Sequence, residues 1–133
     1  MKVSVIAFST LFAGAAAGQD ITIRLSAADV AAGEKVYRGC KTCHTIGSGE
    51  ANRVGPNLYG VVGRDVASVE GFRYSPAIQG FGGAWTPDRL DAYLEDPRGT
   101  VPKNRMSFRG ISDAADRADV IAYLNANSDA PLE

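Results

Sequence analysis

Histidine and tryptophan occur once each in this 133-residue chain, and cysteine and methionine only twice each. This short supply of ligating side chains excludes most metal chemistry, because two Cys and one His fall one short of the four ligands of a structural zinc site. An excess of either charge is missing too. Fourteen Lys and Arg stand against fifteen Asp and Glu for a net charge of −1, which excludes a nucleic-acid binder working through bulk positive charge. No apolar run reaches the roughly 20 residues that cross a bilayer; the N-terminal run from Val3 to Ala17 stops at fifteen. There are no internal repeats, no low-complexity tract and no convincing strand pair. What remains is a composition of 45% hydrophobic and 22% charged residues, that of one ordinary globular domain.

Lys2, the apolar run Val3–Phe12 and the small residues Gly14 to Gly18 together read as a secretory signal over residues 1–18, cut near Gly18/Gln19. Export to the periplasm follows, into an oxidising compartment where Cys40 and Cys43 do not persist as an idle thiol pair. Residues 19–27 read as a short extended tail and 28–133 as the domain. Ser26 with Asp29 resembles a capping box opening a helix over Val30–Tyr37, stopped at Gly39. From Ile46 to Gly83 the chain is Gly-rich, apart from one helical turn at Ser75-Pro76-Ala77-Ile78. Thr86 caps and Pro87 starts a helix with the apolar stripe Leu90, Tyr93, Leu94, ended by Pro97. A loop over Arg98–Gly110 leads to a last helix opened by Ser112 and Asp113, with Ala114, Ala118, Ile121 and Leu124 at the helical period. The reading is all-α: a small single domain of helices and Gly-rich loops. So loop-rich a chain buries little aliphatic surface of its own, so a large apolar group is expected to fill the middle.

Cys40-Lys41-Thr42-Cys43-His44 supplies that group. C-x-x-C-H is the attachment pattern of a c-type haem: two cysteines three apart reach the two vinyl groups of one porphyrin, and the next residue turns its imidazole to the iron. A thioredoxin-like pair needs a βαβ setting that is missing here, and a plain disulfide leaves the adjacent His unexplained. His44 is the sole histidine, so a second imidazole on the iron is impossible. Once Met1 leaves with the signal, Met106 is the one thioether left, and it sits in a loop outside any helical stripe. The alternative is an open or weakly held sixth site, taken by Lys103.

With Gly55-Pro56-Asn57-Leu58, Gly63-Arg64, Gly71-Phe72-Arg73-Tyr74, Trp85, Leu90–Pro97 and Arg105-Met106-Ser107-Phe108 added, the chain resembles a class I cytochrome c over about residues 28–126. The resemblance implies one haem c bound through Cys40 and Cys43, with His44 and Met106 as metal ligands. It implies that the Pro56 carbonyl accepts from the His44 ring, that the Tyr93 hydroxyl lies near the Met106 sulfur, and that Arg64, Tyr74 and Trp85 donate to a haem propionate. Asn104 stands where a Thr is common and is expected to replace it as a propionate donor. Ile78 stands where the family often has Asn, reducing the hydrogen-bond network beneath the haem. Gly33 and Tyr37 are expected to cross Ile121 and Tyr123 closely.

The implied function is a monomeric one-electron carrier, not an enzyme, with no small-molecule substrate. Its implied partners are membrane redox complexes: a cytochrome bc complex as donor and an oxidase or photosynthetic reaction centre as acceptor. A haem enzyme or gas sensor with a displaceable sixth ligand is the alternative. Arg53, Arg98, Lys103, Arg105 and Arg109 are expected to rim the haem edge. Asp88, Asp91, Glu95, Asp113, Asp116 and Asp119 are expected to make the later helices acidic.

Overall fold

A computed structural model describes residues 20–133. The expected signal segment 1–18 lies outside the described residues. Among these there are six helices, α1 Ile21–Ser26, α2 Val30–Tyr37, α3 Pro76–Phe81, α4 Pro87–Glu95, α5 Pro97–Thr100 and α6 Ala114–Ala126. Among the described residues the one β feature is an isolated bridge between Asp65 and Ala84.

Each helix start has a local cause. The side chains of Asp20, Asp29, Ser75, Thr86, Asp96 and Asp113 accept from the first free backbone N–H groups of the six helices in turn. Proline enters the first turn of α3, α4 and α5, where its missing N–H costs nothing. Three expectations are corrected here. The cap of α2 is Asp29, accepting from Ala31 and Ala32, whereas the Ser26 hydroxyl donates to the Ile23 carbonyl behind it. Pro97 ends α4 but also begins the short α5, because Asp96 offers a new cap to Gly99. The described part of the expected extended tail, residues 20–27, holds a helix instead: Asp20 caps α1 and Ile21 is buried in the core.

The frame is the crossing of α2 and α6, with α1 and α4 also packed on α6. At the crossing, a Cβ on Gly33 would run into the Asp119 carbonyl, so only glycine permits the approach. Tyr37 and Tyr123 close the same crossing with ring centroids 5.3 Å apart. Val120, Ile121 and Leu124 of α6 meet Leu90, Tyr93 and Leu94 of α4 in one core cluster. Complete burial of Ile121 contributes roughly 1.5–3 kcal/mol.

Arg117 is buried on the same stripe as Ile121 and Leu124. Its Nε donates to Asp91 at 2.8 Å, and its Nη1 to the Ile111 and Ser112 carbonyls. Arg24 of α1 donates to the same carboxylate and to the Ala114 carbonyl. Asp91 is therefore the hub joining α1, α4 and α6, and not the solvent-facing acidic charge expected of it. Burial opposes its ionisation, but the hydrogen bonds from Arg24 and Arg117 prevail and hold the carboxyl below its ordinary range.

Candidate functional site

Between the end of α2, α4, α6 and the long loops lies a mainly apolar cavity of about 650 Å³. All ten residues picked out by sequence line it: Cys40, Cys43, His44, Pro56, Arg64, Tyr74, Trp85, Tyr93, Asn104 and Met106. Residues the sequence reading had not assigned to a site, among them Val54, Leu58, Phe72 and Phe108, line it too.

The C-x-x-C-H segment continues α2 as a turn, with the Cys43 and His44 amides both donating to the Cys40 carbonyl. Cys40 and Cys43 are not joined to each other by a disulfide. Burial, and then the neighbouring Cys43, push the Cys40 thiol upward. The loop that follows folds back on the segment. Gly55 donates to the Cys43 carbonyl at 2.8 Å and Leu58 to the Thr45 carbonyl at 2.8 Å. Asn57 acts as the staple of this loop, its amide donating to the Thr45 hydroxyl and the Gly47 carbonyl. The fold-back places the Pro56 carbonyl oxygen 2.7 Å from His44 Nδ1, which leaves Nε2 as the nitrogen available to a metal. Burial lowers the His44 imidazolium from its ordinary value despite that bond, favouring the neutral, ligating ring.

Met106 arrives from the other side of the sequence, in the loop after α5. Its amide donates to Asn104 Oδ1 at 2.9 Å, and both donors of the Asn104 amide go to the Pro97 and Val101 carbonyls. Asn104, expected as a propionate donor, lines the cavity with its amide hydrogens on these two carbonyls, and so shapes the Met106 loop. The Tyr93 hydroxyl lies 3.9 Å from the Met106 sulfur. Burial pushes that hydroxyl to about 12, so it stays a donor across the physiological range.

Arg64 is half-spent. Its Nη1 donates to the Asn57 and Tyr59 carbonyls, while its buried Nε has no partner. A buried guanidinium nitrogen left without an acceptor is costly, and burial already lowers the group from its ordinary value. A carboxylate placed against this nitrogen would satisfy it. The Tyr74 hydroxyl accepts from the Val69 amide at 3.0 Å and keeps its own hydrogen to donate. Trp85 is held from behind, its amide donating to the Arg64 carbonyl and its carbonyl accepting from Gly63.

Two thiols, one oriented imidazole, one thioether and an orphaned guanidinium N–H thus meet around an apolar space. That donor set suits a flat metal-bearing macrocycle with acidic side groups and reactive vinyl edges. Helices wrapped around such a space define the class of the c-type cytochromes. The chain belongs to the cytochrome c family: the family model described as Cytochrome c matches residues 30–128.

Among its relatives, "Cytochrome c-type cyt cy" of Rhodobacter capsulatus is 54% identical over 98 residues, 73% of this chain and 48% of that protein. "Cytochrome c homolog" of Bradyrhizobium diazoefficiens is 46% identical over 120 residues, 90% of this chain and 65% of that one. The chain therefore spans about half of the first relative's length and just under two thirds of the second's. Among solved structures, cytochrome cH from Methylobacterium extorquens superposes with a TM-score of 0.70 at 42% identity, covering 74% of this chain and 98% of that one. The chain is of the class I type, and its cofactor is one haem c attached at Cys40 and Cys43. Helix α1 lies outside the span matched by the family model.

Proposed function

We propose that this domain is a one-electron carrier whose iron is held between His44 Nε2 and the Met106 sulfur, and that it works in the periplasm between membrane redox complexes. The observation that carries the reading is the convergence of two independently braced ligands on one cavity wall system. His44 is oriented by Pro56, and Met106 is steadied by Tyr93 and Asn104. When bound, the haem supplies a ferric/ferrous couple. Everything else is done by the chain. Cys40 and Cys43 would hold the haem covalently, each through a thioether at its sulfur. Pro56 and Tyr93 hold the ligand atoms in place, so little rearrangement accompanies a change of charge. Arg64, with Tyr74 and Trp85, offers donors to a propionate. The apolar lining excludes water and favours the less charged state, which raises the potential.

A cytochrome bc complex as donor and an oxidase or photosynthetic reaction centre as acceptor fit such a carrier. A haem enzyme that turns over peroxide draws on a second histidine or a carboxylate near the iron. Among the residues lining the cavity, His44 is the sole histidine, with no Asp or Glu. Optical spectra of the purified protein in both oxidation states, with and without carbon monoxide, test the proposal. A six-coordinate iron with a sulfur ligand that refuses carbon monoxide is expected. Ready carbon monoxide binding would move the assignment to a gas-binding or enzymatic haem.

A further inference from the structure

The six-residue α3 ends without a basic residue of its own, and its C-terminal carbonyls are met by a side chain from the next helix. Arg89, in the first turn of α4, donates from Nη1 to the Gly82 carbonyl at 2.6 Å and the Ala84 carbonyl at 3.1 Å. Its Nη2 reaches the Phe81 carbonyl at 3.4 Å. The same guanidinium lies over the Phe81 ring, 3.9 Å from the centroid. The turn is built to admit it. Gly82 and Gly83 both take positive φ, 62° and 73°, and a Cβ on Gly83 would overlap the Arg89 guanidinium.

What the turn carries leads to the site. Phe81 and Trp85 stand at its two ends with ring centroids 5.7 Å apart, and Trp85 meets Tyr93 at 5.0 Å. Tyr93 is four residues beyond Arg89 on α4, one turn along the same side of the helix. Its hydroxyl ends the series at the Met106 sulfur. A single arginine thus grips the turn at three carbonyls while the turn's aromatic residues brace the tyrosine that faces the thioether.

We propose that Arg89 is a positioning residue for the methionine side of the site: by pinning the Phe81–Trp85 turn it sets the aromatic stack that aims the Tyr93 hydroxyl at Met106. This rests on Met106 being an iron ligand. A guanidinium fork suits the task because one planar group serves several carbonyls and a ring face together, whereas a lysine ammonium offers only a point charge.

Imidazole titrated into the oxidised holoprotein competes with Met106, so its apparent affinity reports how firmly the sulfur is held. Arg89→Gln is expected to bind imidazole about tenfold more tightly than the wild type and to weaken the sulfur-to-iron absorption band. Arg89→Lys should fall between the two. A lowered unfolding midpoint in Arg89→Gln with unchanged imidazole affinity would make Arg89 a fold staple only and overturn the proposal. Met106→Ala separates the underlying reading: imidazole binding no tighter than in the wild type removes Met106 from the iron whatever Arg89 does. Should Arg89→Gln yield no holoprotein, Phe81→Leu keeps the apolar volume but removes the ring face. A rise of about threefold in imidazole affinity is then expected, and no rise overturns the proposal.

Discussion

His44 Nδ1 lies 2.7 Å from the Pro56 carbonyl oxygen, and the His44 ring rests where a Cβ on Gly55 would stand. One short loop therefore sets both the tautomer and the plane of the imidazole. Gly55→Ala should push the ring off that carbonyl. Overpacking of this kind costs about 1–3 kcal/mol, and denaturant unfolding of the holoprotein should show a loss of that size. A wild-type midpoint together with a wild-type potential would show that the ring is oriented by something other than this loop.

Met106 has its own brace, and it can be removed in two steps. Met106→Ala is expected to lower the midpoint potential and open the iron to external ligands, since the sulfur that favours the ferrous state is gone. Tyr93→Phe removes only the hydroxyl facing the sulfur. It should shift the potential in a much smaller step and leave the protein about as stable, because a bond to thioether sulfur is weak. Potentiometric titration followed optically measures both.

Asp91 governs the acid limit. Its folded-state value is depressed, because the hydrogen bonds from Arg24 and Arg117 outweigh the burial that opposes its charge. Its contribution is therefore fully present above the ordinary carboxylate value of about 3.9 and is lost as pH falls through the lower folded-state value. Asp91→Asn should cost about 3 kcal/mol near neutral pH, because two enclosed guanidinium groups lose the carboxylate they share. The gap between variant and wild type should narrow as pH falls below the ordinary carboxylate value and through the lower folded-state one. Urea unfolding across pH checks it, and a gap that stayed constant would deny Asp91 this role.

Gly33→Ala tests the frame. The added methyl meets the Asp119 backbone, which cannot swing away as a side chain could. A loss of about 1–3 kcal/mol is expected from thermal unfolding, with the potential nearly unchanged because neither Gly33 nor Asp119 lines the cavity.

The haem attachment segment was legible because its chemistry is local: C-x-x-C-H needs no distant partner to be read, and neither do caps such as Thr86 or Asp113. The stripe Leu90, Tyr93, Leu94 was legible for the same reason, since periodicity along one helix shows which face is buried. Arg117 shows where that logic fails. It shares the stripe with Ile121 and Leu124, which was a usable signal, but a charged residue there reads as surface until Asp91 is known to meet it. Helix α1 escaped because a six-residue segment has almost no helical stability of its own; Ile21 in the core and Arg24 on Asp91 hold it.

Asn104 and Arg89 mark the same boundary from the site's side. Sequence could supply an amide or a guanidinium near the haem, but not the carbonyls to which they are committed. Residue identity and spacing by themselves determined the cofactor, its attachment and the pair of candidate ligands, because covalent and ligand chemistry depends on which atoms exist. Tertiary structure alone decided which polar groups are spent and which are left over. Hydrogen bonds and ion pairs between segments far apart in the chain form only when packing brings them within about 3 Å, and no local pattern records that distance.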